Sequence, residues 1–365
     1  MPRSAGGATS AANVCAATML DVARLTSLHR LADAWAAPLS AAVLVDPASN
    51  VDWSLDATSA VRAVLAELHR PQLVRATLVE NTGFDCPPRF PFNVLRNIAL
   101  SRCMEPRVLI IDVDFVPHPA NAELPRRLSA IRLDSNEVVV LPAFEPASRW
   151  LADAPSQLEK AVSKAALRAL VLRGDVVGFG DVGGSREPWA AGHQCTRARQ
   201  WLNHSYEYEI QHCHPWYEPY VLLPRAATPP FDEVFAGRGW DKVSFVYELF
   251  ARGSKFRVAP EAFVLHYPHS APPIFGGATC PRTRIDEASR AMGAKDAEEL
   301  DALMHNPGEA CLGRFLERIR SSYGYEPQSS GHDAMRKIVR SHRHWNCEAQ
   351  TSGKRRPHPR LLILS

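Results

Sequence analysis

Arg107-Val108-Leu109-Ile110-Ile111-Asp112-Val113-Asp114-Phe115-Val116-Pro117 is the stretch whose reading decides the fold. Four apolar residues, Val108 to Ile111, three of them β-branched, read as a strand buried on both faces, as in the middle of a parallel sheet. The strand delivers Asp112 and Asp114 one residue apart, and Pro117 closes the unit. Ligands in open α/β sheets gather at the carboxyl ends of strands, where this pair sits. Two such carboxylates repel unless something positive lies between them, and a divalent cation meets that need. A metal held this way bridges diphosphate oxygens and neutralises charge on a leaving phosphate. Asp-x-Asp also occurs as a solvated turn or a helix cap, but the uninterrupted apolar strand before it favours the metal reading.

Outward from this strand, strands alternate with helices. Asn13 to Met19 is an expected strand, with Asp21 as cap of a helix over Val22 to Trp35. Leu39 to Val45 is a second strand, ending at Asp46-Pro47. Ala57 to His69 reads as a helix with Val61, Val64, Leu65 and Leu68 on one face. Leu73 to Val79 is β-rich and Asn93 to Ser101 is helical. Downstream, a helix near Ala120 to Ile131 precedes a buried strand, Glu137 to Leu141. Ser156 to Arg173 reads as one amphipathic helix with Lys160, Lys164 and Arg168 at four-residue spacing. Gly174 to Gly192 reads as a glycine-rich loop over the site, and Phe256 to Leu265 as a last strand leading to His266-Tyr267-Pro268-His269. The order implies an α/β fold, a Rossmann-like mixed, mostly parallel sheet flanked by helices. We expect one domain over 11–324, with a nucleotide-binding half at about 11–145, an acceptor half at about 146–270 and a helical part at 271–324. A Ser/Gly/His/Arg-rich extension, read as a tail or loosely packed, occupies 325–365.

Composition narrows the classes. Of 365 residues, 46% are hydrophobic and 22% charged, which suits a soluble globular protein. A net charge of +3 gives no footprint for nucleic acid. Eight scattered cysteines without Cys-x-x-Cys indicate neither a zinc ribbon nor a thioredoxin-like site, and disulfides and buried thiols both remain open. His193-x-Cys195 and His212-Cys213-His214 match no common zinc spacing. No stretch approaches the ~18 apolar residues of a membrane span. No signal peptide is evident, so the expectation is a soluble chain or one whose upstream anchor lies outside this sequence.

Two chemistries compete for Asp-x-Asp. An Asp-x-Asp phosphohydrolase requires a downstream pair of the form Gly-Asp-x-x-x-Asp. Gly174-Asp175 starts one, but the next acid is Asp181, and three βα-like units precede a motif that should open that fold. A glycosyltransferase places a nucleotide-binding βαβ region before the motif and an acceptor region after it, which is the order here. Phe90-Pro91-Phe92-Asn93-Val94-Leu95-Arg96-Asn97, Ile111-Asp112-Val113-Asp114-Phe115-Val116-Pro117 and Leu141-Pro142-Ala143-Phe144-Glu145 begin a pattern. Tyr217-Glu218-Pro219-Tyr220-Val221, Phe235-x-Gly237-x-Gly239-Trp240-Asp241-Lys242-Val243 and Ala262-Phe263-Val264-Leu265-His266 continue it in order. Over roughly Asn13 to Gly324 the chain resembles glycosyltransferase family 49, of the LARGE-type and β-1,4-glucuronyltransferase-like kind.

The resemblance implies a GT-A fold, an Mn²⁺-dependent inverting transfer, a UDP-sugar donor (UDP-glucuronate in characterised members), a glycan or glycoprotein acceptor, and the Golgi lumen. Asp112 and Asp114, with Val113 between them, would hold the metal and the donor's ribose and diphosphate. His266 falls at a third ligand position, where an imidazole suits manganese, and His269 neighbours it. Asn93, Arg96 and Asn97 are candidates to hold the nucleotide or a donor carboxylate. Alternatively Arg96 pairs with a structural acid and Asn97 satisfies backbone. Asp46 is a candidate for uracil or ribose contacts, or caps a turn with Pro47. His193 lies in a stretch that borders the donor pocket in the family. Inversion needs a general base opposite the leaving UDP. Asp241 is the first choice, with Glu218 and Asp232 in reserve, although some relatives carry an amide at that position. Asp241 would otherwise cap a helix over Lys242 to Ala251. A glucuronate donor requires a cation, for which Arg96 and Lys164 are candidates. The competing class is a catalytically inactive relative that binds a glycan or partner.

Overall fold

The computed structural model describes residues 13–45, 53–80, 91–118, 123–148, 154–180, 193–210, 216–235, 240–269, 309–324 and 361–364. Apolar, β-branched runs form its strands where helices cover both faces. β1 (Val14–Asp21) and β2 (Leu39–Val45) are buried almost throughout. Between them α1 (Leu25–Trp35) buries Leu25, Leu28, Leu31 and Trp35, one stripe at helical spacing, and ends at Ala36 in the left-handed region. α2 (Trp53–Glu67), β3 (Val74–Glu80), α3 (Phe92–Arg102) and β4 (Arg107–Ile110) complete the expected βα alternation. β1, β2, β3 and β4 pair in parallel, so their carboxyl ends lie along one edge.

The remaining elements are β5 (Phe115–His118), α4 (Glu123–Ala130), β6 (Glu137–Leu141), β7 (Ala143–Pro146), α5 (Ala154–Leu158), α6 (Lys164–Arg173) and β8 (Val176–Gly178). They are followed by α7 (Ala198–Trp201), β9 (Tyr208–Ile210), β10 (Tyr220–Pro224), α8 (Asp241–Ala251), β11 (Lys255–Val258), β12 (Phe263–His266), α9 (Glu309–Tyr323) and β13 (Leu361–Leu364). The main sheet runs β13-β3-β2-β1-β4-β10-β6-β11-β9, with β10 antiparallel to both neighbours. A second sheet runs β5-β12-β7-β8. The chain therefore forms the expected α/β architecture with a mixed sheet flanked by helices, its uninterrupted parallel run in the N-terminal half.

Three times the chain leaves the main sheet for the second one: from β4 to β5, from β6 to β7 and from β11 to β12. The Asp-x-Asp turn is the first of these crossings, closed by Phe115 N–H donating to the Asp112 carbonyl at 3.0 Å. The last corrects a reading. Phe256 to Leu265 is two strands, because the Pro260 segment intervenes and proline offers no ladder donor. The expected helix over Ser156 to Arg173 is likewise two helices. The Ser163 hydroxyl accepts from Ala166 N at 3.2 Å and starts α6 afresh, and Gly174 at φ 71° ends it. In the C-terminal extension, Leu361–Leu364 is no loose tail: it pairs antiparallel with β3 at the sheet edge.

Alternate residues of β1 enter opposite cores. Val14 and Ala16 pack with Leu28 and Trp35, whereas Cys15 and Ala17 pack with Leu95 and Ala99 of α3. On that second face Cys15 and Cys103 form a disulfide with Cα atoms 5.6 Å apart, and Cys195 is also disulfide-bonded. Among the described residues no helix is long and apolar enough to cross a membrane.

Candidate active site

Where β4 hands the chain to β5, Asp112 and Asp114 diverge. Asp114 is 4% exposed. Its Oδ2 meets Arg24 Nη1 at 2.5 Å and His269 Nε2 at 3.2 Å, while its Oδ1 is buried without a hydrogen-bond partner. Burial pushes this carboxyl up, but the hydrogen bond with His269, the Arg24 charge and Ser27 together hold it below the usual range. The antiparallel register β12/β5 sets His266 opposite Phe115, so a residue far along the chain arrives beside the motif. The imidazole stacks on Phe115 at 4.8 Å, and its ring lies 5.8 Å from that of His269. His266 Nδ1 is 3.5 Å from Glu145 Oε2, yet it too is buried without a hydrogen bond. An orphaned carboxylate oxygen and an orphaned imidazole nitrogen at one seam form a donor set of the right chemistry for a divalent transition metal.

Asp112 faces the other way. Its Oδ2 accepts from Lys242 Nζ at 2.7 Å and from the Tyr220 hydroxyl at 3.2 Å, and Arg96 Nη2 stands 3.5 Å from Oδ1. Burial would raise this carboxyl, but Lys242 and Arg96 hold it far below the usual carboxylate range. Asp112 thus balances two buried cations. Among the described residues, neither Asp112, Asp114 and His266 nor Asp114, His266 and His269 bring three ligand atoms within 4.8 Å of one another.

Behind Asp112 lies a buried charge network. Arg96, on α3 and 6% exposed, donates from Nη1 to Asp241 Oδ2 at 2.7 Å and to Asn93 Oδ1 at 3.1 Å. Its guanidinium lies 5.5 Å from the Phe92 ring centre and 5.3 Å from that of Phe231. Asp241 opens α8, where the helix dipole favours a carboxylate. Lys242, one residue on, also stands 4.5 Å over the Tyr220 ring. Glu218 feels all four charges. Burial, with Asp241 and Asp112 adding to it, pushes its carboxyl up to about 7 against the opposing Lys242 and Arg96. Burial, with Lys242 nearby, pushes the His193 imidazole down to about 3, so it is neutral, and its ring meets Phe179 edge-on at 4.8 Å.

The candidates from sequence sort by these contacts. Asp114, His266 and His269 come together, as do Asp112, Arg96, Asn93, Asp241 and Glu218, with His193 close to the second group. Val113 sits in the turn between them, its side chain buried in the core. Asn97 is committed to backbone. Its Nδ2 donates to Phe231 O at 2.9 Å and its Oδ1 accepts from Phe231 N at 2.8 Å. Lys164 lies elsewhere, donating to Pro260 O at 2.6 Å and to His204 O, with Trp201 4.1 Å beneath it. Asp232 pairs with Arg318 of α9 at 3.0 Å. Asp46 lies outside the described residues.

Three residues join the site without having been singled out for it: Arg24, Lys242 and Tyr220. A lysine directly after the candidate base Asp241 was a readable signal for Lys242. Asp21 was read as a cap, but it makes no capping hydrogen bond, and its Oδ1 is buried without a partner at the carboxyl end of β1.

The family model described as "Glycosyl-transferase for dystroglycan" matches residues 80–269. The mouse protein named xylosyl- and glucuronyltransferase LARGE2 is 31% identical over 265 residues, which is 71% of this chain and 34% of that protein. Human xylosyl- and glucuronyltransferase LARGE1 is 28% identical over 269 residues, covering 72% of this chain and 32% of its own length. The chain thus spans about a third of the length of the curated relatives it matches. A solved structure of GalNAc-T7 with UDP, GalNAc and Mn²⁺ overlaps loosely, with a TM-score of 0.43 and 12% identity over 92% of this chain and 58% of that one. With the family match running from the end of β3 to His269, through both halves of the site, the chain belongs to glycosyltransferase family 49.

Proposed function

We propose that the chain transfers a sugar from a UDP-sugar to a glycan hydroxyl, with inversion and dependent on Mn²⁺. The observation that carries this reading is the pair of buried, unpartnered polar atoms, Asp114 Oδ1 and His266 Nδ1, at the seam between the two sheets. Leaving either atom unpaired costs roughly 1–3 kcal/mol, an expense that binding of a cation would remove. Asp114, His266 and His269 are the residues that would hold the ion, and Asp112 lends charge beside it. Bound there, the ion would supply neutralisation of the diphosphate as UDP departs.

This chain's own groups take the other roles. Asp21, at the carboxyl end of β1, and Asp46, which follows β2 in the sequence, are assigned to the nucleoside. Arg96 and Lys242, held by Asp112 and Asp241, present positive charge to the donor. We assign glucuronate as the donor sugar because of these two cations and the names of the LARGE relatives. Asp241 fixes Arg96, and the base role falls to Glu218, whose raised carboxyl titrates where a general base is most effective. In the transfer the acceptor oxygen bonds to the sugar's anomeric carbon, the bond from that carbon to UDP breaks, and the hydroxyl proton goes to Glu218. The Cys15–Cys103 disulfide supports an oxidising compartment such as the Golgi lumen.

The test is UDP release with Mn²⁺ from UDP-glucuronate, UDP-xylose and other UDP-sugars, each with and without chelator. Release should be fastest from UDP-glucuronate, should vanish with chelator, and should fall at least about 100-fold in Asp114→Asn. Equal release by the parent and Asp114→Asn would remove the assigned site.

A further inference from the structure

We propose that the groove between α1 and β5 is a saccharide subsite that takes a neutral, hydroxyl-rich ring of the acceptor glycan. This rests on the glycosyltransferase reading above, but on different residues. The cavity has a volume of about 750 Å³ and is lined by Arg30, Asp33, His118, Glu123, Glu159 and Tyr267, among others. That size falls within the ~300–1,000 Å³ typical of small-molecule sites.

The decisive residue is His118. It is 7% exposed, lines the groove, and neither ring nitrogen has a hydrogen-bond partner. Stacked 5.4 Å from Phe263, it is fixed in place with its polar atoms unused. Two buried, idle nitrogens are a standing cost unless a ligand or water meets them. Burial also pushes this imidazole down to about 4, so it is neutral, with one donor and one acceptor. A sugar hydroxyl donates and accepts in the same way.

The surrounding charge favours a neutral ligand. Asp33, Glu123 and Glu159 line the groove with His29 and Arg30. Glu123 also pairs with Arg127 at 2.6 Å and Asp33 with His29 and His69, while Arg30 lies 4.5 Å over the Tyr267 ring, so the walls carry acceptors without an excess of positive charge. Carboxylates accept from hydroxyls and repel an anionic sugar. Val162, 66% exposed, offers apolar surface to the C–H face of a ring.

Position suits an acceptor. Val116 and His118 alternate along β5 with Phe115, whose ring meets Tyr220, Phe179 and His266 on the other side. The groove is therefore separate from the donor side. Yet Arg24, just before α1, holds the Asp114 carboxylate, and Tyr267 N donates to Asp114 O at 2.9 Å. The groove therefore starts beside the proposed reaction centre.

Saturation-transfer NMR on the full chain tests this with methyl β-glycosides of glucose, galactose, N-acetylglucosamine and xylose, and methyl β-glucuronide as the anionic comparison. UDP with Mn²⁺ is titrated into the same preparations. At least one neutral glycoside should bind, and the glucuronide should bind more weakly. His118→Phe keeps an aromatic ring against Phe263 but removes the nitrogens, and Ala34→Phe fills the groove from α1. Each should weaken the glycoside by about tenfold or more and leave UDP binding unchanged. Absence of binding by every neutral glycoside, tighter binding of the glucuronide, or parent-like binding in both variants would overturn the proposal. Glycoside binding that responds to both variants in a chain that fails to bind UDP would instead sustain the subsite and sink the donor reading.

Discussion

A single carboxyl, that of Glu218, sets the expected pH behaviour. Burial pushes it up to about 7, with Asp112 and Asp241 adding to the push and Lys242 and Arg96 opposing it. Below that value it is protonated and cannot accept the acceptor's proton; above it, it can. Acceptor-dependent turnover should therefore rise with pH through about 7. Glu218→Gln should flatten that limb and lower kcat by about 10²–10⁴ while leaving UDP affinity near the parent's. A parent-like profile in Glu218→Gln, with Asp241→Asn losing the limb instead, would return the base role to Asp241. In sequence Asp241 came first and Glu218 in reserve; both are single carboxylates in aromatic settings and nothing local separates them. Only the fold shows that Asp241 is spent on Arg96 and that Glu218 is buried among four charges. Asp112 and Asp114 were legible because strand, turn and acids are contiguous. Asp21 was read as a cap, and it does stand at the cap position before Val22, but without the capping hydrogen bond that residue type alone suggests.

Elements bounded by strong local chemistry were readable, and those decided by sheet crossings were not. Glu137–Leu141 and Leu39–Val45 have the expected limits because their apolar runs end at proline or aspartate. The break at Pro260 and the restart at Ser163 looked like minor interruptions, but each redirects the chain between sheets or helices. α3 shows what such packing does to a site residue. Asn97 was read as a donor candidate or as a residue satisfying backbone, and its side chain takes the second part: it ties α3 to the segment before α8, through Phe231 on both sides of its amide and Glu233 Oε1 at 2.8 Å. Asn93 adds a bond to Asp232 O at 2.8 Å. Asn97→Ala should lower unfolding stability by about 1–3 kcal/mol, read as an earlier urea midpoint, with UDP affinity nearly unchanged. A stable variant that has lost UDP affinity would restore Asn97 to the donor pocket.

At the scale of the molecule, the Cys15–Cys103 bond joins the first strand to the helix before the Asp-x-Asp strand. It closes a loop of sequence separation 88 that contains α1, β2, α2, β3 and α3. The parallel strands it spans pair residues distant in sequence, and their association carries a loop-closure cost that a cross-link removes from the unfolded chain. On the chain-entropy account a loop of this size contributes up to about 4–5 kcal/mol, with measured values for native disulfides commonly about 2–5. The Cys15→Ala/Cys103→Ala pair deletes two buried sulfurs as well, so packing adds to the loss. Cys195 is also disulfide-bonded, so reduction alone breaks more than this bond, and urea unfolding compares the parent and the double variant both oxidised and reduced. Oxidised, the double variant should lose about 2–5 kcal/mol relative to the parent, and between the two reduced proteins only the packing loss should remain. Because neither cysteine is among the partners of Asp114 or His266, UDP affinity of the folded fraction should stay within about twofold throughout. Equal stability of oxidised and reduced parent would show that contacts within the sheet, rather than the cross-link, hold the nucleotide-binding half together.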